Sequence, residues 1–170
     1  MSILSTSSFS NGKYAIPTNP KQDAGLQEYI DQIEGYYLPL LFGVELYDLF
    51  IIDLASAPVN EPTDARFVKI YDPFIDQTDY LIMSDGIVEM LKGFVYFTYL
   101  RDRNTTVTND GFVRTLGENS ETVTAVKHDL VKAYNEAIET FKVIQYYMDT
   151  VNADDYPEFD GIDLNYNHNF

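Results

Sequence analysis

Residues 85–121 read "DGIVEMLKGFVYFTYLRDRNTTVTNDGFVRTLGENSE", and the fold turns on how this stretch divides. Its first half is helical. Ile87, Leu91, Phe94, Val95 and Thr98 recur three and four residues apart, which places them on one helix face. Met90, Phe97 and Tyr99 widen that apolar arc, so the helix is expected to be covered on more than one side. Ser84 can cap its start, and Arg101 and Arg103 suit the negative end of its dipole. The second half changes period. "TTVT" and "FVRT" flank Asn109-Asp110-Gly111, a turn composition that tolerates positive φ, so residues 105–115 read as a β-hairpin. Two strands alone are marginal in water. The hairpin therefore either folds back over its own helices or offers its free edges to a neighbouring chain.

Outward from the hairpin, the longest helical pattern spans residues 121–151, with Asn119 or Ser120 as cap. Val123, Leu130, Tyr134, Ala137, Phe141, Ile144, Met148 and Val151 form its apolar seam, interrupted by Lys127. A straight helix of that length is about 45 Å long. A compact domain of this size is only about 40 Å across, so the helix is expected to reach beyond its own domain.

Upstream, "NPKQDAGLQEYIDQIEGYYLPLLFG" starts a helix at Asn19, with Pro20 in the first turn and Gln22 placed as in a capping box. Leu26, Ile30, Ile33, Tyr37 and Leu40 make its buried stripe. Pro39 is expected to prevent a clean continuation, and Gly43 to open a second helix, "VELYDLFIIDL", offering Leu46, Leu49, Phe50 and Ile52 to the core. "ASAPVNEPTD" is a loop, "RFVKIYD" reads as a short strand, and "PFIDQTDYLIM" has no clear period. Residues 1–18 read as an extended arm whose apolar strip, Tyr14 to Ile16, docks elsewhere. Residues 152–170 form an acidic, aromatic tail that cannot build a core alone. The fold class is thus mainly α, a bundle of about four helices in residues 19–151, with a small β-hairpin between the last two long helices.

Composition narrows the chemistry. The chain has 170 residues, a net charge of -16, two histidines and no cysteine. Disulfides, thiolate metal sites and cysteine nucleophiles are excluded. The negative charge repels nucleic-acid phosphates and anionic lipid. The most apolar stretch, residues 36–55, carries Glu45, Asp48 and Asp53, so no membrane span is expected. Asp154, Asp155, Glu158, Asp160 and Asp163 invite a calcium reading, but the order of acids that a calcium loop requires is missing. His128 on the long helix and His168 in the tail have no partner motif. No phosphate loop, dinucleotide fingerprint or nucleophile elbow occurs. Gly86 and Gly93 read as sites of close packing. No enzyme, cofactor or metal site is expected. The 14 Tyr and 11 Phe exceed what a small core needs, which points to rings in contact surfaces.

The order of elements resembles the head–tail connector (adaptor, or neck ring) proteins of tailed bacteriophages, particularly phages of Bacteroides-like hosts. The likeness rests on the helix junction Leu41-Phe42-Gly43 with Leu46-Tyr47, and on the aromatic helix 94–100. It rests also on Thr108, Gly111, Phe112 and Val113, followed by Glu118-Asn119-Ser120-Glu121. It covers roughly residues 10–150. Pro39 and a long segment 55–83 depart from the family's pattern. The resemblance implies a structural virion protein, assembled in the host bacterial cytoplasm. It would form a ring, often twelvefold, between the portal and the downstream tail or neck proteins, with DNA passing through the channel. Ring contacts are heterologous. The interface residues expected are Tyr14 and Ile16 in the arm, Val107, Phe112 and Val113 in the hairpin, and Tyr156 and Phe159 in the tail. Removing the tail after Val151 is expected to spare the fold and weaken docking. The alternative is an accessory protein that binds a basic partner through its acidic tail.

Overall fold

The computed structural model describes residues 2–16, 20–57, 61–77, 81–103, 105–108, 111–114 and 120–161, with side chains described throughout these except at 20–24, 105–108, 111–114 and 120–127. It is mainly helical. α1 (Pro20–Phe42), α2 (Val44–Ser56) and α3 (Ala65–Tyr71) lead to a two-stranded antiparallel sheet, β1 (Phe74–Asp76) with β2 (Ile82–Ser84). α4 (Gly86–Arg103) follows, then a hairpin of β3 (Thr105–Thr108) and β4 (Gly111–Arg114), then α5 (Ser120–Tyr146). The hairpin read from the sequence is present, with Val107 opposite Phe112 and Thr106 opposite Val113. The Asn19 and Asn119 caps, the side chains of Gln22, Val123 and the hairpin, and Asp163 and His168 of the tail lie outside the described residues.

Three long helices make the main layer. α4 packs between α1 and α5 because its apolar arc is wide: Ile87, Met90, Leu91, Phe94, Val95 and Tyr99 are all buried. Tyr37 of α1 stacks on Phe94 with ring centroids 3.7 Å apart, and Tyr29 meets Tyr99 edge-on at 5.4 Å. On the other side, Phe97 and Phe94 both meet Tyr134 of α5. Gly93 sets how close α4 and α5 come. A Cβ there would lie 3.0 Å from Ala137 Cβ and 3.1 Å from the Ala133 carbonyl oxygen. Each large side chain buried in this layer contributes about 1.5–3 kcal/mol.

A second cluster joins α1, α2 and α3. Phe42, Phe50 and Phe67 meet at centroid distances of 4.9, 5.1 and 6.0 Å. Three sequence expectations change here. α1 runs through Pro39 to Phe42. The proline sits in the last turn, where it removes one backbone donor, and burial of Leu38, Leu41 and Phe42 offsets that loss. Residues 65–71 are a helix rather than a strand. The Asp64 carboxylate caps it by accepting from the Arg66 N–H at 2.9 Å, and Phe67, Ile70 and Tyr71 fall on one helical face. On α2, Leu46, Phe50 and Leu54 are buried, while Leu49 and Ile52 are exposed.

The chain ends described here are folded against the body. The arm is not extended: it makes a 3-10 turn at Thr6–Phe9, and Leu4, Phe9, Tyr14 and Ile16 are core residues. Beyond α5 the helix widens into a π turn, Tyr147–Val151, and the chain then doubles back. Ser84 stands one residue before the cap position of α4, and its hydroxyl accepts from the Gly86 N–H at 3.2 Å.

Candidate interaction surface

Both chain ends are held by defined polar contacts. The Glu34 carboxylate on α1 accepts from the N–H groups of Ile3 (2.9 Å) and Leu4 (2.7 Å) and from the Ser2 hydroxyl (3.0 Å). Burial pushes its pKa up, and those three donors only partly offset the shift. A buried carboxylate with a raised pKa would ordinarily suggest chemistry, but here its partners are the arm's own backbone. Lys13 forms an ion pair with Glu136 of α5 at 2.7 Å. Burial works to lower the pKa of this ammonium, and the contacts with Glu136 and Tyr14 together outweigh it and hold the group above its usual value.

The tail closes the junction between α1 and α2. The last carbonyls of α1 lack helical donors. Gln145 Nε2 donates to those of Leu40 and Leu41, and the Asp160 N–H donates to that of Phe42 at 3.4 Å. Gly43 turns there with φ of 76°, and a Cβ on it would sit 2.6 Å from the Asp160 carbonyl carbon. Tyr156 is buried, and its hydroxyl donates to the Arg66 carbonyl at 2.7 Å. Arg66 in turn reaches Glu158 at 3.2 Å.

The expected interface residues therefore separate into two groups. Tyr14, Ile16 and Tyr156 are buried within their own chain, so they act as intramolecular anchors rather than contact points for a neighbour. Phe159 is half-buried against the same core. Val107, Phe112 and Val113 lie on the paired strands β3 and β4, their side chains outside the described residues.

An exposed apolar surface that sequence reading missed lies elsewhere. β1 and β2 alternate. Phe74, Ile82 and Ser84 face inward, with Phe74 against Tyr147 at 4.9 Å. Ile75 and Met83 are cross-strand partners on the outer face, 54% and 62% exposed, and Leu81 beside them is 67% exposed. Val143 and Tyr146 of α5 continue this surface, and a groove of about 330 Å³ runs between them and β2. Ile75, Leu81, Met83 and Tyr146 are its exposed apolar residues, and the half-buried Val143 and the aliphatic stem of Lys142 lie among them. The sequence signal was the run "YLIM", which is too short to show a strand period.

No family model, curated protein or solved structure matches this chain. Among the described residues no three His, Asp or Glu side chains cluster as metal ligands. His128 is exposed on α5 beside Val131 and Lys132. Among the described residues no helix is long and apolar enough to cross a membrane.

Proposed function

We propose that this chain is a non-enzymatic structural subunit of a phage head–tail connector ring, joining the portal to the tail around the DNA channel. The observation that carries the reading is the β3–β4 hairpin set between the two long helices α4 and α5. It occupies the stretch where the sequence most resembles that family. A two-stranded ribbon between helices is a natural element to share with a neighbour, because its edge groups are a pairing template. The exposed face on β1, β2 and α5 adds a contact area of the kind a heterologous assembly needs. A net charge of -16 suits a channel wall that does not retain DNA. The rival reading, an acidic tail that captures a basic partner, is weakened because Glu158 is already paired with Arg66. Sedimentation of the purified chain, alone and mixed with a candidate portal protein, tests the proposal. A closed oligomer that forms with the portal is the expected result. A chain that stays monomeric or dimeric at every ratio, or that shows turnover lost on a single carboxylate substitution, would contradict it.

A further inference from the structure

We propose that a second groove, between the β1–β2 sheet and α5, receives a primary ammonium on an aliphatic stem, the side chain of a lysine on the protein docked against this face.

The groove has a volume of about 440 Å³. On one side lie Phe74 and Ser84, the cross-strand pair that ends the β1–β2 ladder, followed by Asp85. On the other, α5 presents Glu136, Glu139, Thr140 and Val143, whose spacing of three, one and three puts them on a single helix face. Thr140 is the residue that points to a ligand. It is only 7% exposed, and its hydroxyl has no hydrogen-bond partner among the described residues. In a helix that hydroxyl ordinarily bonds a carbonyl one turn back, and here the bond is not made. A buried hydroxyl left unpaired is uncommon, and this one lines an open groove.

The charges around it select the sign of the ligand. Glu136 is shared between Lys13 at 2.7 Å and Lys132 at 4.0 Å. Asp85 and Glu139 form no ion pair among the described residues, so the groove keeps uncompensated negative charge. Its acids do not gather as metal ligands. Two separate carboxylates and a hydroxyl instead match the three donors of an ammonium, and the apolar wall of Phe74 and Val143 suits the stem behind that charge. With 27 acidic and 11 basic residues, a second copy of this chain is a poorer source of the lysine than a different protein. The lysine's source rests on the reading of this face as a docking surface; the groove's preference for an ammonium does not.

The test has two arms. In the first, 1-aminopentane is titrated into the isotope-labelled full-length chain at constant ionic strength, and backbone amide shifts are followed. Saturable shifts at Ser84, Asp85, Glu139 and Thr140 are expected. Thr140→Val and Glu139→Gln should each weaken them several-fold, while Glu45→Gln, an exposed acid on α2, leaves them unchanged. 1-Pentanol, the same stem without the charge, should give none. No saturation at these residues, or an equal loss in Glu45→Gln, would overturn the groove as a site. In the second arm, the Thr140→Val/Glu139→Gln double variant, with its melting temperature checked against the parent, is mixed with a candidate portal protein. A complex weakened several-fold is expected. A full-strength complex from a variant that no longer binds the amine would overturn the docked lysine and assign the groove to a free amine. If the parent chain forms no complex at any ratio, the docking reading falls and takes the lysine with it, while the amine result stands by itself.

Discussion

Glu34 shows how much one residue decides. Its carboxylate collects three donors from the arm, so Glu34→Ala leaves the Ile3 and Leu4 N–H groups without that acceptor. A loss of about 1–3 kcal/mol is expected, read from urea unfolding monitored by tyrosine fluorescence. The pH dependence follows from the raised pKa. The unfolded chain releases this proton near 4.5, and the folded chain releases it at higher pH. Between those values the folded state binds more protons, so the Glu34 contribution to stability is greatest at low pH and falls as pH rises through the window. Glu34→Gln cannot titrate, and the melting temperature should then vary less between pH 4.5 and neutrality than in the parent. The glycines divide in a similar way. Gly43→Ala, at φ of 76° and against the Asp160 backbone, should cost at least about 1–3 kcal/mol. Gly25→Ala and Gly35→Ala inside α1, where a Cβ meets nothing within 4 Å, should each stabilise by about 0.5–1 kcal/mol. Thermal melts of the three variants check both signs.

At the scale of elements, legibility followed length. α1, α4 and α5 were readable because four or more turns repeat a spacing, and Leu26, Ile30, Phe94, Ala137 and Phe141 are buried where that spacing put them. The hairpin was readable from its turn chemistry. Residues 65–71 were misread because "RFVKIY" is too short for period to outweigh β-branched content, while the deciding signal, the Asp64 cap, is local. β1 and β2 have three residues each, below the length at which alternation shows. The arm and the tail were misjudged for another reason. Each is polar on average with a few large side chains, and although Tyr14, Ile16 and Tyr156 stood out as contact residues, nothing local to them tells burial in their own chain from burial in a neighbour. Tail truncation after Val151 is consequently expected to destabilise the fold rather than spare it. Tyr156→Ala should cost about 3–5 kcal/mol, and Tyr156→Phe, which removes only the hydrogen bond to the Arg66 carbonyl, about 1 kcal/mol. If denaturant midpoints were unchanged in the truncated chain, the tail would not be part of the core.

The whole molecule is a helical body in which both described ends return to the core, leaving the outer face of β1 and β2 and the β3–β4 hairpin as its distinctive surfaces. The mainly helical class, and the hairpin between the two long helices, were legible in sequence. The exposed face was not, because exposure is a property of packing and no residue type announces it. Substituting that face separates assembly from stability. Ile75→Asp together with Met83→Lys replaces exposed side chains, so the melting temperature should change by little, roughly within 0.5 kcal/mol of parent stability for each site. Oligomer formed with the portal should fall several-fold if this face carries subunit contacts, as sedimentation would show. The most direct measurement of the connector account is a reconstruction of the neck in tailed particles that contain this chain. The account predicts density for α4, the hairpin and α5 repeated around the channel directly below the portal. A neck resolved at side-chain detail in which this chain occupies no ring would contradict it.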